Sequence, residues 1–234
     1  MIIFHINYIL EIYMKGYQLI ILWFIIFFTI FIPISKLFGL NNSLTIIALW
    51  ALWSFAISVF EFVLPFNMKY VCDKGREFYD NKKCMWSKDY EIIDMYKKTW
   101  WMDSYADYSL GDSKYRHGYK KNPDVTSSHS FRCVMLGEII HGVFSFIFST
   151  LVLYYIFIGN NDKHKNLNIL LLGAVQFSLI CWYQSTVFWD MFDTKSENYY
   201  LNDKWWWPPL LWNLLWFIFP PYLVYYSYNQ LLLL

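Results

Sequence analysis

Charge is scarce in this chain of 234 residues: Asp, Glu, Lys and Arg together make up 16% of it, where ordinary soluble domains carry roughly 25%. That is not the composition of a water-soluble domain. Net charge is missing as well. The 19 Lys and Arg against 18 Asp and Glu leave +1, so the chain projects no overall field toward nucleic acid or other anionic partners. Glycine is limited to nine residues beside 13 Trp, 20 Tyr and 21 Phe, and a chain with so much apolar surface to bury is not disordered. No internal repeat, low-complexity tract or linker interrupts it, so one domain is expected. What the chain has in excess is hydrophobic sequence, 57% by residue, and the composition points to an integral membrane protein.

A helix that crosses a bilayer needs about 20 mostly apolar residues, and five stretches meet that need: 18–40, 44–66, 131–158, 167–189 and 205–228. The expected fold is therefore all-α, a multi-pass bundle of five transmembrane helices, with 18–234 as the membrane domain. Residues 1–17 are apolar at first but broken by His5, Asn7 and Glu11 and lack a basic start. They are read as an interfacial segment ahead of the first helix rather than a cleaved signal. One large hydrophilic loop, 67–130, separates the second and third spans and holds 12 of the 19 basic residues with ten acidic ones. Raw counting of basic residues would make this loop cytosolic, yet that bias is dependable only for short loops.

Four cysteines are present. Cys72 and Cys84 lie in the large loop and can pair only if it faces an oxidising compartment; Cys133 and Cys181 fall within helices. The spacing fits no paired-cysteine zinc motif, so no metal is expected.

Ionisable groups inside a membrane span are costly and mark function by default. Three occur here: Glu61, Glu138 and His141. Counting about 1.5 Å of rise per residue from the face of the large loop places Glu61 roughly 7.5 Å deep and Glu138 roughly 10 Å. The same count puts Tyr183 of the fourth span and Asn213 of the fifth at roughly 9 and 12 Å. Ser54, Ser58 and Glu61 follow an i, i+4, i+7 stripe, Glu138 and His141 are i, i+3 neighbours, Gln176 and Tyr183 are seven apart, and Asn213, Trp216 and Pro220 share a face. Two carboxylates, an imidazole, an amide, a phenol and an indole at one level of an apolar bundle describe a pocket for a mostly hydrophobic ligand. Each has a plainer alternative: Glu61 solvated near the interface, Glu138 neutralised by His141, Asn213 bonding another helix, Trp216 packing, and Trp205 to Trp207 forming an interfacial belt.

Trp101, Tyr105 and Ala106, followed by Gly111, Asp112, Ser113, Lys114 and Tyr115, resemble the Trp-x-x-x-Tyr-Ala and Gly-Asp-Ser-Arg-Tyr run of the emopamil-binding proteins, the sterol Δ8-Δ7 isomerases of the EXPERA superfamily. Glu61, Glu138, Gln176 with Tyr183, and Asn213 with Trp216 and Pro220 keep the order and spacing of that family. The resemblance covers most of residues 44–228. It implies a five-helix protein of the endoplasmic reticulum membrane with the large loop lumenal. It also implies a sterol as substrate, cationic amphiphiles as inhibitors and no cofactor; a homodimer is left open. Catalysis would use Glu61 and Glu138 as proton donor and acceptor, Trp216 to stabilise a carbocation and Asn213 beside them, with Tyr183, Gln176, His141 and Ser58 contacting the sterol. One position departs from the pattern. Ile57 stands where those isomerases carry a histidine, one turn before the second-helix glutamate, and His141 is the imidazole that can compensate. A protein that binds sterols or cationic amphiphiles without catalysis is the alternative.

Overall fold

The computed structural model describes residues 13–80, 89–111, 129–192 and 207–234, most of which are helical. Helix α1 (Gly16–Leu37) turns into α2 (Asn42–Val63) through Gly39, whose φ of 70° is strained by about 1 kcal/mol or more in any residue with a Cβ. Asn41 then starts α2 by accepting a hydrogen bond from the Leu44 amide, filling one of the amides that a helix start leaves without a partner. At the far end, Pro65 lies in a 3-10 turn, Leu64–Asn67, that carries the chain into α3 (Met68–Asp80). Proline at the start of a helical turn surrenders an amide that has no partner there in any case. The apolar helix therefore does not stop at residue 66 but runs on from Asn42 to Val71.

The segment expected to be a hydrophilic loop is in part built. Besides α3 it contains strand β2 (Asp89–Glu91), a 3-10 turn (Ile92–Tyr96) and α4 (Lys98–Gly111). Strand β1 (Tyr13–Lys15) pairs antiparallel with β2, Lys15 opposite Asp89 with a salt bridge of 2.8 Å. Within the segment read as interfacial, 13–15 form a strand tied to the loop, and 16 and 17 belong to α1. Residues 1–12 lie outside the described residues. The loop is closed on itself by Asp103 of α4, which is 3% exposed and accepts from Tyr70 of α3 at 2.8 Å and from Tyr90 of β2 at 3.3 Å.

Three long helices complete the chain: α5 (His129–Phe157), α6 (Asp162–Phe192) and α7 (Trp207–Leu231). Contacts run α2 to α5, α5 to α6 and α6 to α7, around a core of Ile47, Trp50, Val152, Ile169, Leu172 and Leu223. The outside is apolar too. Ile21, Ile25 and Ile30 of α1, Leu136 and Ile147 of α5 and Ile218 of α7 are exposed, while Ser54, Ser145, Ser149 and Gln176 are enclosed. A water-soluble domain scatters its exposed apolar residues singly. Two helices, Asn42–Val71 and Leu136–Phe157, are long and apolar enough to cross a bilayer, and only 39% and 28% of their apolar windows are buried. The core helix of a soluble protein would be mostly enclosed.

Candidate functional site

The polar stripe of α2 faces inward, with Ser54, Ser58 and Glu61 0%, 1% and 6% exposed. It meets α5 at Gly142, where an added Cβ would lie 3.2 Å from the Ser58 carbonyl oxygen and 3.3 Å from the Glu61 Cβ. This glycine lets the two backbones approach. The residue beside it, His141, then places Nδ1 2.6 Å from Oε2 of Glu61 in a shared hydrogen bond. Both side chains are buried, and an ionised carboxylate at such a place requires a partner of this kind. The other ring nitrogen, Nε2, is enclosed without a hydrogen-bond partner among the described residues. The indole of Trp216 packs against the imidazole in a T-shaped arrangement, ring centroids 5.1 Å apart and planes at 68°. Trp216 is itself held by Trp50 at 5.0 Å.

Glu138, one turn before His141 on α5, completes the cluster. One ligand-type atom from each of Glu61, Glu138 and His141 lies within 4.8 Å of the other two, so these three sequence-chosen residues do converge. Two carboxylates and an imidazole are also a donor set for a divalent cation. The 2.6 Å contact is too short for neighbouring ligands on tetrahedral zinc, which with bonds near 2.0–2.2 Å sit roughly 3.3–3.6 Å apart. It is the length of a charge-assisted hydrogen bond. As arranged, Glu61 and His141 share one hydrogen-bonded proton.

Gln176 has a different place. Its carbonyl accepts from Trp50 Nε1 at 2.8 Å, and its amide nitrogen donates to Ser54 Oγ at 2.9 Å and to Ser145 Oγ at 3.4 Å. Ser58 and Ser149 turn their hydroxyls back onto the carbonyls of Ser54 and Ser145. Both amide hydrogens of Gln176 are thus used in joining α6 to α2 and α5, so its role is to set the helix positions around the site. Gln176→Leu keeps the volume but strands the Trp50 donor and the two serines. It should cost about 2 kcal/mol, read as a lower midpoint of thermal unfolding of the purified protein, with no loss expected if the amide were idle.

Tyr183 and Asn213 lie on α6 and α7, but their side chains fall outside the described residues, as do the side chains of Cys72, Cys84 and Cys133. Cys181 is an exposed free thiol. Residues Trp101 to Gly111 of the family-like run lie on α4, and 112–115 are outside the described set. Three members of this network escaped sequence reading. Ser145 and Ser149 continue from His141 at i, i+4, i+8, a stripe on α5 that matches the one on α2 and was open to the same spacing argument. Trp50, buried in the core and bonded to Gln176, had no such signal among 13 tryptophans. Comparison of this chain with protein-family models, with curated proteins and with solved structures finds no match.

Proposed function

We propose that this chain is a multi-pass membrane protein, a bundle of five spanning helices in the endoplasmic reticulum, that moves a ring double bond of a sterol by adding and removing a proton. The observation that carries the reading is the buried Glu61–His141 pair with Glu138 beside it and Trp216 against the imidazole. An alkene is a very weak base, so its protonation needs an undissociated acid in a site that excludes water. Buried carboxyls are biased to that form, and neighbouring ones are driven to different protonation states. The tertiary carbocation that follows needs a surface that stabilises positive charge without attacking it, which an indole face provides. Removal of a proton from the adjacent carbon then leaves the double bond one position away. The sum is redox-neutral and calls for no cofactor. An ammonium amphiphile would occupy the same site as a mimic of the cation. The large loop is lumenal in this reading.

The test is expression in cells that lack their own Δ8-Δ7 isomerase, fed a zymosterol-type Δ8 sterol. The Δ7 isomer is expected in extracts. Expression in the membrane fraction with no conversion would sink the enzyme and leave the second reading, a binder of sterols or cationic amphiphiles, which Ile57 in the histidine place favours.

A further inference from the structure

On the isomerase reading, we infer that His141 is the catalytic group that takes the proton from the substrate, through a bare Nε2, and that Glu61 exchanges no proton with substrate but is the positioning residue that holds the imidazole. The inference rests on how the two ring nitrogens differ. Nδ1 is engaged with the Glu61 carboxylate at 2.6 Å, and Nε2 is enclosed with no partner among the described residues. A carboxylate on one nitrogen fixes the tautomer, keeping the proton on Nδ1 and the lone pair on Nε2. An unpartnered buried polar atom is a liability in a structural role. It is what a base for a carbon-bound proton requires, because a C–H bond offers no ordinary hydrogen bond before the reaction begins. Glu61 is poorly placed for that work, since Oε2 is occupied by the ring. The charged groups around His141 among the described residues are Glu61 from α2 and Glu138 from its own helix; α7 presents the uncharged Trp216.

The proton account closes within the three residues. The carboxyl of Glu138 gives its proton to one alkene carbon, whose π pair forms the new C–H bond, leaving the other carbon cationic and Glu138 a carboxylate. The Nε2 lone pair takes a hydrogen, as a proton, from the carbon on the far side of the cation, and the freed C–H pair becomes the new π bond. The imidazolium, its charge balanced by Glu61, returns the proton to the Glu138 carboxylate of the same cluster, in which one ligand-type atom of each residue lies within 4.8 Å of the others. Substrate and product are isomers, and the site ends as it began. Gly142 makes this possible from α5, because it lets Glu61 come within reach of the neighbouring residue.

The experiment has two arms. In membranes converting a Δ8 sterol, Glu61→Gln should lower kcat about 10²–10⁴-fold, the usual worth of a positioned acid or base, with KM nearly unchanged. Glu61→Asp should recover part of it, and His141→Asn should fall to background. His141→Asn with wild-type turnover would overturn the inference and leave the isomerase reading intact; a wild type that converts nothing fails that reading instead. The second arm needs no turnover. In 15N-histidine-labelled wild type, with five histidines resolved by difference from His141→Asn, His141 should show protonated Nδ1 and bare Nε2, a pattern lost in Glu61→Gln. A neutral ring protonated on Nε2 overturns the inference whatever the activity, and should the Asn variant not accumulate, His141→Gln serves as the difference sample.

Discussion

On the isomerase reading, Glu138→Gln is expected to abolish sterol isomerisation while leaving sterol bound. Glutamine copies the size and planar shape of a protonated glutamate, so the surroundings on α5 and the cluster with Glu61 and His141 need no rearrangement. What is lost is acidity. An amide N–H cannot give a proton to an alkene. Removing a positioned general acid usually costs 10²–10⁴-fold; for a substrate as weakly basic as an alkene, we expect a loss of about 10⁴-fold, beyond detection in membranes. Binding of a labelled sterol or an ammonium inhibitor, measured on the same membranes, should stay within about threefold, because the interaction removed is one made in the transition state. Unchanged turnover would remove Glu138 from the chemistry.

That Glu61, Glu138 and His141 come together was legible from residue order, and their pairing was not. A helix rises by a fixed amount per residue, so counting along α2 and α5 brings these residues to a common level. Which residues face one another across two helices depends on how closely and at what angle they cross. Here α2 and α5 meet at Gly142, and that contact pairs His141 with Glu61 across the interface. Neutralisation of Glu138 by His141 along one helix looked equally good from spacing alone. Gln176 shows the same limit. A buried amide can serve a ligand or the protein, and only the positions of Trp50, Ser54 and Ser145 assign it to the protein. In the loop, β1 and β2 are three residues each and 74 apart at the Lys15–Asp89 pair, too short for any alternation of polar and apolar residues to announce a strand. The long helices were the readable part, because apolar runs of span length need no partner to declare themselves.

Gly173→Ala should destabilise the protein by about 2–3 kcal/mol, although in most helices the same change gains up to about 1 kcal/mol of helix propensity. The sign is decided by what the new methyl would meet. An ideal Cβ on Gly173 lies 2.8 Å from the carbonyl oxygen of Pro220, 2.9 Å from the Leu223 Cβ and 3.1 Å from a Val224 methyl. Two of these atoms belong to, or are attached directly to, the α7 backbone and cannot swing aside as the tip of a long side chain would. Leu172 and Leu223 are fully enclosed at this seam, so relief comes only by moving α7 away from α6. That movement reaches the site. Trp216 lies one turn before Pro220 on α7 and touches His141 at 5.1 Å, so a shift that opens the seam also withdraws the indole from the imidazole. Thermal unfolding of the purified protein should therefore begin about 5–10 °C lower in Gly173→Ala. On the isomerase reading, turnover should fall with it below the melting transition, where the protein is still folded. A variant as stable as wild type would mean the two helices are free to separate there, and normal turnover despite a lowered midpoint would detach Trp216 from the catalytic arrangement.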